Sequence, residues 1–226
     1  MDPIAQLTVA ALCFVGTHFV PSTPLRAKAV AALGERGYLG VYSLISFIAL
    51  GWMMWAYGRA PLQPLWEAPG LRLAPAVVMP FALILIACAY STRNPTAIGQ
   101  DAAMKNNEPA RGIIRVTRHP LMWGVILWGA VHVLVRGDLA SAVFFGGFVV
   151  LAGLGTVLID ARKARTLGTD WQRFAAVTSN VPFGAIAGGR NRFVFGEIGW
   201  TRLGAALAVY GVLLLAHPYL FGARPY

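Results

Sequence analysis

What most constrains this chain is a series of apolar runs too long and unbroken for a soluble core. Six stretches qualify, at about 4–20, 38–57, 73–91, 120–135, 139–159 and 201–220. A spanning helix needs about 20 mostly apolar residues, within a range of about 17–25. The composition agrees: 57% of the 226 residues are hydrophobic and 12% charged, where a soluble domain carries about 25% charged. Mean hydropathy is +0.61. A water-soluble fold of this size cannot hide so much apolar surface, which excludes soluble globular and disordered classes. The expected fold is all-α: one integral-membrane domain over residues 1–226, a polytopic transmembrane helical bundle of about six spans.

The chain carries nineteen Lys and Arg against nine Asp and Glu, a formal charge of +10. In a soluble protein that excess would suggest nucleic acid. Its placement argues otherwise. Arg26, Lys28 and Arg36 fall in the first connection, and five more cations, from Arg93 to Arg118, fall in the third. Seven, from Arg162 to Arg202, fall in the fifth, leaving only Arg59, Arg72, Arg136 and Arg224 elsewhere. The positive-inside rule then puts the odd connections in the cytoplasm and both termini outside. The expected location is a bacterial inner membrane, crossed several times. The expected partner is membrane lipid, with no nucleic acid.

The fourth and fifth runs read as a helical hairpin. Pro120 suits a first helical turn, where its missing N–H costs little, and Gly137-Asp138 reads as a tight turn. After Asp160, Trp171, Phe174 and Val177 recur at i, i+3 and i+6 among basic residues. That pattern predicts an amphipathic helix lying on the inner membrane surface in the last cytoplasmic connection. The start, Met1-Asp2-Pro3, has no basic n-region, so residues 4–20 read as a retained helix rather than a cleaved signal. Cys13 and Cys88 lie in apolar runs, and no C-x-x-C-H is present, which excludes covalent haem attachment.

Ionisable groups inside a membrane are costly and default to functional candidates. Here they are His18, His119, His132 and His217. His119 and His132 are 13 positions apart, about 220° around a helix and roughly 20 Å along it, so one metal cannot take both. His132 shares a face with Leu121, Val125 and Trp128. A neutral imidazole on such a wall suits axial haem ligation; it also suits a hydrogen bond to a neighbouring helix. Depth alone would pair His18 with His119, and His132 with His217. No H-E-x-x-H, paired cysteine set or hydrolase triad order supports zinc or hydrolytic chemistry.

The run Arg115-Val116-Thr117-Arg118-His119-Pro120-Leu121-Met122-Trp123-Gly124 resembles the NnrU family of membrane proteins, as does Trp128-Gly129-Ala130-Val131-His132. Thr17-His18, Leu39-Gly40-Val41-Tyr42, Arg93-Asn94-Pro95 and Thr178-Ser179-Asn180-Val181-Pro182-Phe183 extend the resemblance over nearly the whole chain. The family is associated with bacterial denitrification and nitric oxide metabolism. It is related to the zeta-carotene isomerases of plants and cyanobacteria, which use non-covalent haem b to interconvert cis and trans polyene bonds without net redox change. The resemblance implies haem ligation by His18 and His132, and a lipophilic small molecule as a partner. The isomerases also carry a cysteine three positions before the second ligand; Gly129 stands there in this sequence, so no thiolate is supplied. Arg115, Arg118 and His119 complete the candidate cofactor-binding set, the two arginines as partners for haem propionates.

A second resemblance is to isoprenylcysteine carboxyl methyltransferases, through Arg118-His119-Pro120 and the later Trp171, Phe174 and Val181-Pro182. It implies S-adenosylmethionine as cofactor. Their pair of glutamates is replaced by Ile159-Asp160, leaving Asp160 alone to hold the cofactor. A non-enzymatic assembly factor for a redox enzyme is the third alternative.

Overall fold

The computed structural model describes residues 1–97, 99–106 and 108–223. Arg224, counted above on the outer side, lies outside the described residues. Every element among the described residues is helical apart from one isolated bridge between Pro64 and Asp138.

Helix α1 spans Pro3–Phe19; Asp2 caps it by accepting the Ala5 N–H at 2.9 Å. Pro21 and Pro24 prevent its continuation. Helix α2 spans Leu25–Arg59, broken at Gly34, whose φ of +71° is left-handed. The first connection is therefore largely helical rather than a loop. Helix α3 is Ala74–Ser91 and α4 a single turn at Ile113–Val116. Helix α5, Pro120–Arg136, begins at the expected proline. Helix α6, Leu139–Ala176, runs 38 residues with a break at Gly168, about 57 Å if straight. That exceeds a hydrocarbon core of about 30 Å, so α6 reaches well beyond the fifth apolar run. Helix α7 is one turn at Gly184–Ala187, and α8 is Trp200–Phe221.

Four of these helices, α2, α3, α6 and α8, are long and apolar enough to cross a membrane. Helices α1 and α5 are apolar but only 17 residues long, at the lower limit for spanning. Large apolar side chains stay exposed along α2 and α8, among them Phe47, Ile48, Trp55, Val212 and Leu215. Such continuous apolar surface is unstable in water and stable in lipid.

The chain divides into two compact units: Met1–Leu71 with His132–Leu151, and Arg72–Val131 with everything from Ala152 onward. In the first, α1 packs on α2, burying Leu7, Ala10 and Phe14 of α1 and Ala49 and Met53 of α2. Its α5–α6 turn follows expectation. Gly137 takes a φ of +61°, and Asp138 caps α6 by accepting the Ser141 N–H at 2.9 Å. The Gly137 carbonyl accepts the Leu65 and Trp66 N–H groups at 2.7 and 3.1 Å, and the Trp66 indole donates to the Leu134 carbonyl.

In the second unit α3 packs on α8, and the Tyr210 hydroxyl donates to the Ala76 carbonyl at 3.1 Å. The core contains Leu85, Cys88, Met104, Ile113, Ile114, Trp171, Phe174 and Ile198. This corrects one expectation. Trp171 and Phe174 do form one apolar stripe, but it is buried in the protein's own core instead of lying on a membrane surface. The segment is a short helical piece after the break at Gly168, as the pattern predicts, but it packs on protein rather than lying on a membrane surface. Its stripe is satisfied by Met104, Ile113 and Ile114, which the third connection folds under it.

Candidate functional site

His18 and His132 lie in the same unit. His18 is the penultimate residue of α1, where its Nδ1 is 2.7 Å from the Phe14 carbonyl oxygen. A carbonyl can only accept, so Nδ1 carries the proton. The neutral ring then presents Nε2 as its lone-pair nitrogen. A backbone carbonyl behind one imidazole nitrogen is the usual way of orienting the other toward a metal.

Rings pack against both histidines. Phe14 meets His18 edge-on at 4.6 Å between centroids, and Tyr42 of α2 does so at 6.0 Å. His132 is stacked on Phe145 of α6 at 4.8 Å. From Phe14 the contacts continue to Phe148 at 5.2 Å, Phe144 at 5.4 Å and Phe145 at 5.0 Å. All lie within the range of favourable aromatic pairing. A run of touching rings thus links the two histidines. Phe144, Phe145 and Phe148 follow from α6 being a helix, since positions i, i+1 and i+4 give two faces of one turn. Tyr57 stacks on Phe144 at 4.5 Å, and its hydroxyl pairs with Ser141.

The surroundings of His18 are chemically compatible with a haem ligand. One imidazole has its far nitrogen committed to the backbone, the wall is aromatic and apolar, and a polar stripe runs along α2. Tyr38, Tyr42 and Ser46 recur there at intervals of four and share a helix face. Tyr38 is 6% exposed, and its hydroxyl has no hydrogen-bond partner among the described residues. An orphaned buried hydroxyl is costly unless something supplies a partner. Sequence reasoning missed this stripe, although its period of four in an otherwise apolar helix is a legible signal.

Arg115, Arg118 and His119 belong to the other unit, and each is already engaged there. Arg115 closes on Glu197 through Nε and Nη2 at 2.8 and 2.9 Å, and on Asn191 through Nη1 at 2.7 Å. The Gly112 N–H adds a third donor to that carboxylate. The hydrogen bonds from Arg115 hold the Glu197 carboxyl down from its ordinary 4.5 to about 2, against partial burial, with Gly112 contributing. The reciprocal bond raises Arg115 above its ordinary value.

Arg118 grips Asp160 of α6 with Nε and Nη2 at 2.5–3.0 Å and lies over the Trp171 ring at 5.3 Å. His119, 2% exposed, meets the same carboxylate through Nε2 at 2.7 Å. Thr117 ties the segment down by accepting the His119 N–H and donating to the Asn180 carbonyl. His217 of α8, in the same unit, contacts the Ala223 carbonyl through Nδ1. Asp160, the carboxylate a methyltransferase site would use, is thus occupied by two side chains of its own unit.

Four apolar helices of spanning length and a ring-walled pair of histidines define a helical membrane protein. The family model described as NnrU protein matches residues 6–225, and the chain belongs to the NnrU family. Among curated proteins it is similar to the chloroplastic 15-cis-zeta-carotene isomerase of Arabidopsis thaliana, 38% identical over 79 residues, covering 35% of this chain and 22% of that protein. It is similar to the Zea mays protein of the same name at 26% identity over 171 residues, covering 74% of this chain and 47% of the relative. The chain therefore spans less than half the length of either relative. No solved structure matches it.

Proposed function

We propose that this chain is a haem-b-binding membrane isomerase that interconverts cis and trans double bonds of a lipophilic polyene. The observation that carries the reading is the His18–Phe14–Phe148–Phe144–Phe145–His132 run, with the His18 Nδ1–H given to the Phe14 carbonyl. The similarity to proteins named 15-cis-zeta-carotene isomerase supports a polyene as the substrate class.

In this reading His18, through Nε2, and His132 hold the iron. Haem, when bound, supplies one-electron chemistry that weakens a conjugated double bond with no net redox change. The chain's own residues do the rest. Phe14, Phe144 and Phe145, buried against one another and against Phe148, keep the surroundings of the histidines apolar and exclude water from them. The Phe14 carbonyl keeps the His18 ring in one tautomer and orientation.

The reading includes a bacterial inner membrane, six spans with α1 and α5 crossing as short helices, and both termini outside. Fifteen of the nineteen cations then face the cytoplasm. A role in denitrification or nitric oxide metabolism would use the same ligand pair, with a small diatomic in place of the polyene. The methyltransferase alternative is disfavoured by the engagement of Asp160 with Arg118 and His119.

The test is direct. Purified protein reconstituted with haem is mixed with 15-cis-zeta-carotene in detergent, with and without dithionite, and the isomers are separated chromatographically. The reading expects conversion that depends on the iron's oxidation state. Haem-loaded protein that leaves the isomer ratio unchanged in both states would contradict isomerase function while leaving haem binding to be judged on its spectrum.

A further inference from the structure

Arg115 and Arg118 are the sequence-based candidates for haem propionates, yet both are largely buried and closed on by equally buried carboxylates of their own unit, whereas Arg26 is paired only in a half-exposed contact. The unit that contains His18 and His132 offers a different polar end. Tyr42 packs edge-on against His18, and Tyr38, one turn earlier on α2, stacks on Tyr42 with ring centroids 6.0 Å apart. Beyond Tyr38 lies charge: the Arg26 guanidinium sits over its ring at 5.6 Å, paired with Glu35 at 2.6 Å. The line from His18 through Tyr42 and Tyr38 to Arg26 therefore runs from an apolar metal ligand to a charged, half-exposed rim. A haem has that same polarity, with its metal at the centre and two carboxylates along one edge.

Within this line the Tyr38 hydroxyl is the anomaly. It is buried and has no hydrogen-bond partner among the described residues, although a phenolic O–H taken out of water normally finds an acceptor. A phenylalanine would fill the same space without that cost. An O–H beside a cation is suited to donate to a carboxylate, and such charge-assisted bonds are stronger than neutral ones.

We propose that Tyr38 is a propionate anchor, donating its hydroxyl to a carboxylate of the haem held by His18, with Arg26 supplying the neighbouring positive charge. The inference rests on the haem reading above and names the side chain that orients the group about the His18 axis.

The experiment compares hemin with hemin dimethyl ester, which keeps the iron and macrocycle but caps both carboxylates. Each is titrated into the detergent-solubilised full chain, wild type and Tyr38→Phe, and binding is read from the Soret band. The wild type is expected to bind hemin more tightly than the ester. Tyr38→Phe is expected to weaken hemin about tenfold, the size of one hydrogen bond to a charged group, and to leave the ester unchanged. Arg26→Gln, a second variant at the rim, is expected to weaken hemin and spare the ester as well. Equal losses for hemin and ester, or no loss for either, in both variants would overturn the anchor while His18-dependent Soret absorption persists. A wild type that yields no His18-dependent Soret band with either compound would overturn the haem reading itself, and the anchor with it.

Discussion

The Nδ1 atom of His18 lies 2.7 Å from the carbonyl oxygen of Phe14, one helical turn earlier. This bond fixes the tautomer of the ring and leaves Nε2 as the nitrogen with the lone pair. Replacement of His18 by Gln keeps a polar side chain of similar reach but no imidazole. His18→Gln is expected to remove iron binding with little change in thermal stability, because the ring is only half-buried. Paired melting curves and metal analysis on the haem-reconstituted protein check this.

Glu197 and Arg115 are joined across 82 residues and fasten the loop before α8 to the α4 turn. Glu197→Gln leaves the guanidinium with a weaker partner and should destabilise the protein by about 2 kcal/mol near neutral pH. The pH dependence follows from the lowered carboxyl. The folded-state value of about 2 lies below the ordinary 4.5. Its contribution is therefore complete above about pH 4.5 and is lost as the pH falls toward 2. The gap in melting temperature between wild type and Glu197→Gln should be widest at pH 6 and should narrow steadily below pH 4.5. A gap that stayed constant to pH 3 would remove Glu197 as its source.

Gly137 adopts a φ of +61°, and a Cβ there would run into the Trp66 carbonyl. Gly137→Ala therefore meets both backbone strain and a clash, with an expected cost of about 2–4 kcal/mol. Gly146, inside α6, has nothing within 4 Å of a built Cβ. Gly146→Ala should not destabilise, and a good helix former there should help slightly. Thermal melting of the two variants side by side separates a conformational requirement from mere smallness.

Asp160 accepts from both Arg118 and His119 in a largely buried cluster. Asp160→Asn should cost about 2–4 kcal/mol, because it leaves a buried guanidinium underpaired. If the carboxylate is structural, the same variant keeps the visible spectrum of the haem-loaded protein. If it holds S-adenosylmethionine, calorimetry should detect binding of that compound to the wild type and none to the variant.

Much of this architecture is legible in the residues because local rules act alone there. Asp2 before Pro3, Pro120 at a helix start and Gly137-Asp138 at a turn need only their neighbours to be understood. The apolar runs announce burial without saying against what. For Trp171 and Phe174 that ambiguity mattered: the same stripe would fit a lipid surface or a protein core, and Met104, Ile113 and Ile114, dozens of residues earlier, decide in favour of the core. The helix around Trp171 and Phe174 is legible from their spacing, whereas the helical stretch that joins it to the fifth apolar run, up to the break at Gly168, carries no apolar run to mark it. The Arg115–Glu197 pair has no local signature at all. The His18 and His132 environments were half-visible. Leu121, Val125 and Trp128 mark an apolar face around His132, but Phe145, which stacks on it, comes from the next helix.

The ligand pair itself is tested most directly by the dithionite-reduced visible spectrum of the protein reconstituted with haem b. Wild type, His18→Ala, His132→Ala and His119→Ala are compared at equal protein and haem concentrations. The account predicts a Soret band with sharp ferrous bands in the wild type and in His119→Ala, and their loss in both His18→Ala and His132→Ala. A spectrum that survives both of those substitutions, or one that vanishes only with His119, would contradict it.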